Sequence, residues 1–290
     1  MVNRLRNLRQ NDCKSYWNLL NRTCCSKTKK IIIDKVSLEC FLDHFKKLNT
    51  VNKVDEDENS DYLDVENISS LNVELNRVIS EDEVIHAIKG LKNNKACGGD
   101  LIINELLKYS ASKLLPILVS LFNIVFDSGC IPESWSKGSI VPIYKNKGDP
   151  ANADNYRGIS VLSCFGKLFT CILNNRVNSY LGNYNVLCEE QAGFRKQYST
   201  NDHIFNLNCL IDLYLRCNKP LYCAFVDYKK AFDSVDRSAL WHKLLQQCID
   251  GKMFKVIHSL YENAKSCVRL GCNSSSFFNS NFGVRQGKNL

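Results

Sequence analysis

The sequence has no Cys-x-x-Cys pair, no apolar leader and no uninterrupted hydrophobic run long enough to cross a bilayer. Fifteen cysteines are present, but their closest spacings are Cys24-Cys25 and Cys267 to Cys272, so zinc-finger or zinc-knuckle ligation has no support. The chain opens Met-Val-Asn-Arg-Leu-Arg-Asn-Leu-Arg-Gln, without the apolar core of a signal peptide. The cysteines therefore read as reduced intracellular thiols serving mostly as small hydrophobes, not as a secreted disulfide framework. The longest apolar stretch, 114–126, is interrupted by Pro116, Ser120 and Asn123. It falls short of the ~20 residues of a bilayer span, which predicts a soluble or peripheral protein with no membrane partner. Beyond one acidic run there is no low-complexity tract, and there is no internal repeat.

What is present narrows the class further. With 44% hydrophobic and 23% charged residues over 290 positions, collagen-like, mucin-like and fully disordered readings are excluded, and one large or two ordinary domains fit. The net charge of +8 is unevenly placed: residues 1–54 carry 12 Lys/Arg against 4 Asp/Glu, whereas residues 55–66 hold 7 acids and no base. This predicts a basic helical arm over 1–54 and an acidic linker over 55–79. Such a balance suits a polyanion such as nucleic acid, because Lys and Arg near phosphates release counterions. A basic protein with no polyanion partner has the same balance.

Periodicity and capping signals lay out the elements. Val36, Cys40, Phe41, Phe45 and Leu48 fall at helical spacing within 35–48. Ser80 with Glu83 forms a capping box before Val84, Ile85, Ile88 and Leu91. A turn at 97–100 lets Asp100 cap a helix over 101–109, and a further helix is predicted over 112–128 with Gly129 as its C-cap. Residues 139–144 and 156–161 read as two strands of a hairpin with a basic tip at 145–150. Helices are expected over 163–181, 200–216 (with Thr200 as a cap), 237–249 and 252–263, and a hairpin over 266–270 and 277–282. Between them, 221–226 is an almost unbroken apolar run that reads as a strand buried on both faces.

The chemistry gathers where that run ends, at Asp227-Tyr228-Lys229-Lys230-Ala231-Phe232-Asp233-Ser234-Val235-Asp236. A carboxylate delivered to the mouth of a sheet by a rigid strand is a hard oxygen ligand in a fixed place, suited to a divalent cation. Asp227 holds that position. As an alternative, Asp227 is a turn or cap residue leading into the next helix, and for Asp233 and Asp236 that reading is preferred.

Several segments together resemble the reverse transcriptase domain of non-LTR (LINE-type) retrotransposons. They are 83–84 through Lys92-Asn93-Asn94-Lys95-Ala96-Cys97-Gly98-Gly99-Asp100, then Ile103-Asn104-Glu105-Leu106-Leu107-Lys108, Ile140-Val141-Pro142-Ile143-Tyr144-Lys145 and Asn155-Tyr156-Arg157-Gly158-Ile159-Ser160. Gln191-Ala192-Gly193-Phe194-Arg195 with Ser199-Thr200, the Asp227 segment, and Gly283-Val284-Arg285-Gln286-Gly287 follow in the family's order over about residues 80–290. One departure is Arg157-Gly158, where the family usually has Arg-Pro; glycine loosens the backbone but keeps the arginine.

The resemblance implies RNA-templated DNA synthesis, in which a primer 3′ hydroxyl attacks the α-phosphate of a deoxynucleoside triphosphate between two metal ions, Mg²⁺ in the complete domain. By position Asp227 would be the first metal-ligand carboxylate and the Tyr228 backbone would lie next to the triphosphate. Phe232 would stack under the sugar and exclude a 2′-hydroxyl. Arg157 would cover the β- and γ-phosphates, with Lys145 or Lys147 in the neighbouring role. Gly193, Phe194, Arg195, Ser199 and Thr200 would contact the RNA template, and Gln286 with Gly287 would flank the nascent base pair with the DNA primer. The fold class implied is α+β: right-hand polymerase fingers over 80–219 and a partial palm over 220–290, mostly helical with a short antiparallel sheet and no thumb.

The family's second and third acids sit in a Tyr/Phe-x-Asp-Asp hairpin downstream of Gln286, and no Asp-Asp dipeptide occurs in this sequence. The expectation is a truncated copy or partial gene model, with no polymerase turnover by these 290 residues alone. Two other readings stay open: a non-catalytic nucleic-acid-binding remnant, and an interaction protein with neither activity.

Overall fold

Ser80 and Glu83 open a helix as their spacing predicts: the Glu83 carboxylate accepts from the Ser80 backbone N–H at 3.0 Å, and Ser80 Oγ accepts from Glu83 N–H at 3.4 Å. The computed structural model describes residues 35–50, 72–195 and 197–286. Most of the basic arm, the acidic run at 55–66 and Gly287 lie outside the described residues.

In chain order the elements are α1 (Leu38–Asn49), α2 (Val73–Asn76), α3 (Glu81–Gly90), α4 (Asn104–Tyr109), α5 (Ala111–Ser128), α6 (Glu133–Ser136), β1 (Lys137–Tyr144) and β2 (Tyr156–Leu162). Then follow α7 (Cys164–Asn183), α8 (Thr200–Arg216), α9 (Arg237–Gln246), α10 (Gly251–Glu262), β3 (Lys265–Leu270), β4 (Asn273–Ser274) and β5 (Phe278–Asn279). The architecture is α+β, largely helical with one small sheet. That sheet is mixed, which corrects the expected antiparallel one: β1 pairs antiparallel with β2 but parallel with β3, and β3 takes β4 and β5 antiparallel. The two predicted hairpins are both present, β1 and β2 meeting with Tyr144 opposite Tyr156. Pro142 is tolerated in β1 because the parallel pairing with β3 stops at Ile140, so the strand is an edge beyond that point.

Two cores hold the molecule. A helical one joins α2, α3, α5, α7 and α10 through Leu75, Val84, Phe122, Phe126, Phe169 and Phe254. Leu75 and Ile79 belong to it, so the end of the predicted acidic linker is anchored to this core at those two residues. A second core seats Phe41 and Phe45 of α1 on Ile140, Tyr156, Val268 and Phe278 of the sheet. Arg176 locks α7 to the entry of α3, donating to both Glu83 carboxylate oxygens at 2.7 and 2.8 Å and to the Leu75, Arg77 and Val78 carbonyls.

Several local expectations need correction. Asp100 does not cap α4; its carboxylate turns back to accept from Ile102 N–H at 3.2 Å, and the helix starts at Asn104 without a side-chain cap. Ser199, not Thr200, holds the cap position of α8, with the Asp202 carboxylate accepting from its backbone N–H at 2.7 Å. The helix containing the interrupted apolar stretch runs 18 residues, long and apolar enough to cross a membrane by length and composition, although Leu118, Phe122, Val125 and Phe126 are core. The described cysteines are free thiols and most are exposed, only Cys164 and Cys267 being buried, so they do not serve mainly as core hydrophobes.

The largest correction concerns 221–226. It forms no strand, and Tyr222, Phe225 and Val226 are 90%, 86% and 80% exposed. A strand buried on both faces needs a ladder partner on each side, and none of the described strands offers it one. Helix α8 just before it likewise buries no residue, leaving Ile204, Phe205 and Leu215 open.

Candidate nucleotide and template site

The hairpin of β1 and β2 carries the first basic groups. Its tip is tied by Lys145 N–H to Asn155 O at 2.8 Å and by Lys145 Nζ to Asp154 O at 2.7 Å. Ile143 pairs with Arg157, which places Arg157 on the exposed face beside that tip. Lys147 is exposed on the loop.

The segment after 226 folds as turns. Lys230 takes a left-handed φ of 55°, and its carbonyl accepts from Asp233 N–H at 2.9 Å and from Ser234 N–H at 3.1 Å. Its ammonium pairs with Asp154 Oδ1 at 2.9 Å, joining this loop to the hairpin tip. That bond, with the Lys230 charge, pulls the Asp154 carboxyl below its ordinary pKa. Burial pushes Asp233 up, opposed by the charges of Lys230 and Lys145. His44 of α1 faces the same cluster and is held below its usual value, first by burial and then by Lys230. Asp236 is the N-cap of α9, its carboxylate accepting from Ser238 N–H at 2.8 Å, as the turn-and-cap reading expects.

Three separated segments meet around Phe232. Val284 N–H donates to Phe232 O at 2.8 Å and Gly283 N–H to Val235 O at 3.1 Å. Gly283 has a φ of 70°, and a Cβ there would lie 2.8 Å from Asp233 O, so only glycine allows this approach. Next along, Gln286 O accepts from Ser160 N–H of β2 at 2.9 Å. From the other side, Phe194 meets the Phe232 ring edge-to-face, centroids 6.2 Å apart at 88°. Phe194 also adopts a positive φ, 65°, rare for a bulky residue, and its ring stands 91% exposed.

Arg195 beside it spends one nitrogen on its own loop, donating to Cys188 O at 2.8 Å and Gln191 O at 3.3 Å while its guanidinium lies 4.1 Å from the Tyr198 ring centroid. With Asn178, Ser179, Gln197 and Tyr198 it lines an open polar groove of about 620 Å³. Ser199 and Thr200 are exposed at the start of α8, and Gly193 is exposed in the loop.

The structure therefore gathers Lys145, Arg157, Phe194, Phe232 and Gln286 around the hairpin and its neighbouring loops. Asp227 and Tyr228 are exposed, Tyr228 at 78%, on a segment with no regular structure. Among the described residues no three His, Cys, Asp or Glu side chains converge. That donor set does not fit a two-metal centre, since Asp227 brings one carboxylate. The sequence alone gave no role to His44, to Lys230 with Asp154, or to Arg237 and Arg285; the basic loop opposite an acid was the signal for the second.

Residues 143–290 match the family model of the reverse transcriptase (RNA-dependent DNA polymerase), half of the chain. The chain belongs to the reverse transcriptase family. It is the reverse transcriptase domain of a non-LTR, LINE-type element, as the ordered motifs implied. Its relatives include the RNA-directed DNA polymerase from mobile element jockey of Drosophila melanogaster, 28% identical over 212 residues, covering 73% of this chain and 23% of that protein. The probable RNA-directed DNA polymerase from transposon BS of the same organism is 27% identical over 192 residues, 66% of this chain and 21% of that protein. A Pol polyprotein from type-1 retrotransposable element R2 of Nasonia vitripennis is 30% identical over 173 residues, 59% of this chain and 16% of that protein. This reverse transcriptase chain thus spans under a quarter of the length of each of these three relatives.

Proposed function

We propose that this chain supplies the incoming-nucleotide and template contacts of an RNA-directed DNA polymerase. The observation carrying the reading is the meeting of Phe232, Phe194 and the 283–286 segment beside the basic hairpin. In this reading the hairpin belongs to the fingers, and the turns after 226 with the 283–286 segment belong to the palm. Arg157, exposed beside the tip, offers a fork of donors to the triphosphate. Lys145 keeps free N–H bonds beyond the one given to Asp154 O, and Lys147 is the second candidate for the same phosphates. Phe232 supports the sugar, and Tyr228 offers its backbone N–H. Phe194 gives a template base a stacking face, Arg195 lines the groove that would take template backbone, and Gly193, Ser199 and Thr200 are exposed in the same stretch of chain to contact that backbone. Gln286 and Gly287 border the nascent pair with the primer strand.

Members of the family generally use divalent metal ions. Asp227 alone is too small a donor set for Mg²⁺ held in a two-metal clamp, so the roles proposed are binding and orientation. That same lone carboxylate favours a second reading, in which the chain binds RNA and nucleotide without turnover.

The test is binding of a deoxynucleoside triphosphate to the chain loaded with a DNA-primed RNA template. Arg157→Ala should weaken it by roughly tenfold or more, given the strength of forked phosphate contacts. Phe232→Val should mainly raise ribonucleotide affinity. Equal binding by wild type and both variants would refute the site. Primer extension by the wild-type chain would count against the non-catalytic reading, and Asp227→Ala would then abolish it.

A further inference from the structure

Two guanidiniums with no acidic partner among the described residues hold the Phe232 and Gln286 segments together. Arg237, the first residue of α9, donates through Nε to Gly283 O at 2.9 Å, through Nη2 to Phe282 O at 3.3 Å and through Nη1 to Tyr261 O at 2.9 Å. Arg285 is 6% exposed and donates through Nη2 to Ser136 O at 2.5 Å and Lys265 O at 2.9 Å, the points where β1 and β3 begin their parallel pairing. The Arg285 guanidinium lies against Gly138, where a Cβ would be in ordinary contact with it at 3.6 Å. Tyr261 sits between the two arginines, its ring 5.1 Å from the Arg237 guanidinium and its phenol hydrogen-bonded to the Arg285 backbone.

Arg285 is costly to the fold. Its Nε and Nη1 are buried with no hydrogen-bond partner, and Ser136 Oγ beside it is likewise unpartnered. Burial lowers both arginine pKa values to about 10, which leaves both charged at neutral pH. A buried charge with unmade hydrogen bonds is poor support for stability. Its placement is another matter: Val284 on one side bonds to Phe232 O, and Gln286 on the other bonds to Ser160 N–H of β2.

We propose that Arg285, braced by Arg237, is a positioning residue that sets the gap between Phe232 and the Gln286 peptide and thereby the preference for a deoxyribose sugar. The sugar part rests on the nucleotide reading above; the positioning part does not.

The experiment uses the 290-residue chain with Arg285→Met, Arg285→Lys and Arg237→Lys. It reads hydrogen exchange at the Ser160, Gly283 and Val284 amides, and the affinities for dTTP and UTP with a primed RNA template bound. Arg285→Met should leave the melting temperature unchanged or higher, because it removes a buried unpaired charge. It should still speed exchange at Ser160 and Val284 by roughly tenfold through local opening, and narrow the preference for dTTP over UTP. Arg285→Lys should keep part of both. Arg237→Lys tests the brace and should speed exchange at Gly283 first. Unchanged exchange in Arg285→Met overturns the positioning role. Equal weakening of dTTP and UTP, with the preference intact, overturns the link to the sugar. If the wild-type chain binds neither nucleotide, the nucleotide reading fails and the sugar claim with it, while the amide exchange still decides the positioning claim.

Discussion

Glu83 and Arg176 show how one pair fixes an element junction. Burial alone would raise the Glu83 carboxyl, but the Arg176 hydrogen bonds and charge, with the Ser80 backbone, more than offset it and hold the pKa at about 2, against 4.5 ordinarily. A depressed carboxylate pKa stabilises the fold above the unfolded value and loses that contribution as pH falls through the folded one. Stability should therefore drop between about pH 4.5 and 2, by on the order of 3 kcal/mol. Glu83→Gln should flatten that part of the profile and lower stability at pH 7, measured by denaturant unfolding across pH. An unchanged profile would mean that the pair does not carry the junction. Gly158 makes a second residue-scale case. A Cβ there would lie 2.6 Å from Phe45 Cε1 and 2.9 Å from Ile140 Cγ2, so the glycine that departs from the family's usual proline makes room for the α1 aromatic. Gly158→Ala should cost roughly 1–3 kcal/mol by overpacking. Combined with Phe45→Leu it should cost less than the two single changes added, and strict additivity in a double-mutant cycle would deny the contact.

Among elements, those whose information is local were legible from sequence. The Ser80 box, the Gly129 cap at a φ of 71° and the hairpin of β1 and β2 need only neighbours along the chain or the pleat. The parallel pairing of β1 with β3 joins residues more than a hundred positions apart, and no periodicity announces it. Segment 221–226 failed for a related reason: its apolar run described a buried environment that the described residues do not provide. Its amides should exchange nearly unprotected in this chain, whereas those paired in β1 and β2 should be slow. Equal protection in hydrogen exchange would show that a ladder partner exists after all. At the site, residue types were legible where motifs carried them, as with Arg157, Phe232 and Gln286. His44 and the two arginines were not, because each acts through a contact that only the folded chain creates.

At the scale of the molecule, the α1 segment of the basic arm packs on the sheet and brings His44 to the loop that carries Lys230. On the proposed reading the net charge of +8 serves nucleic-acid binding. Affinity for a primed RNA template should fall steeply as salt rises, linearly on a log-log scale, and binding that ignores salt would favour a protein whose charges only solvate its surface. On the proposed reading, motifs far apart in sequence border one nucleotide site. The most direct measurement of that arrangement is photocrosslinking of a photoreactive deoxynucleoside triphosphate to the chain on a primed RNA template, with the labelled peptides mapped. Label on Arg157, the 228–232 segment and Gln286, competed by unlabelled deoxynucleotide and dependent on the template base, is the predicted result. Label spread over the helical face of α3 and α5, or indifferent to template, would contradict it.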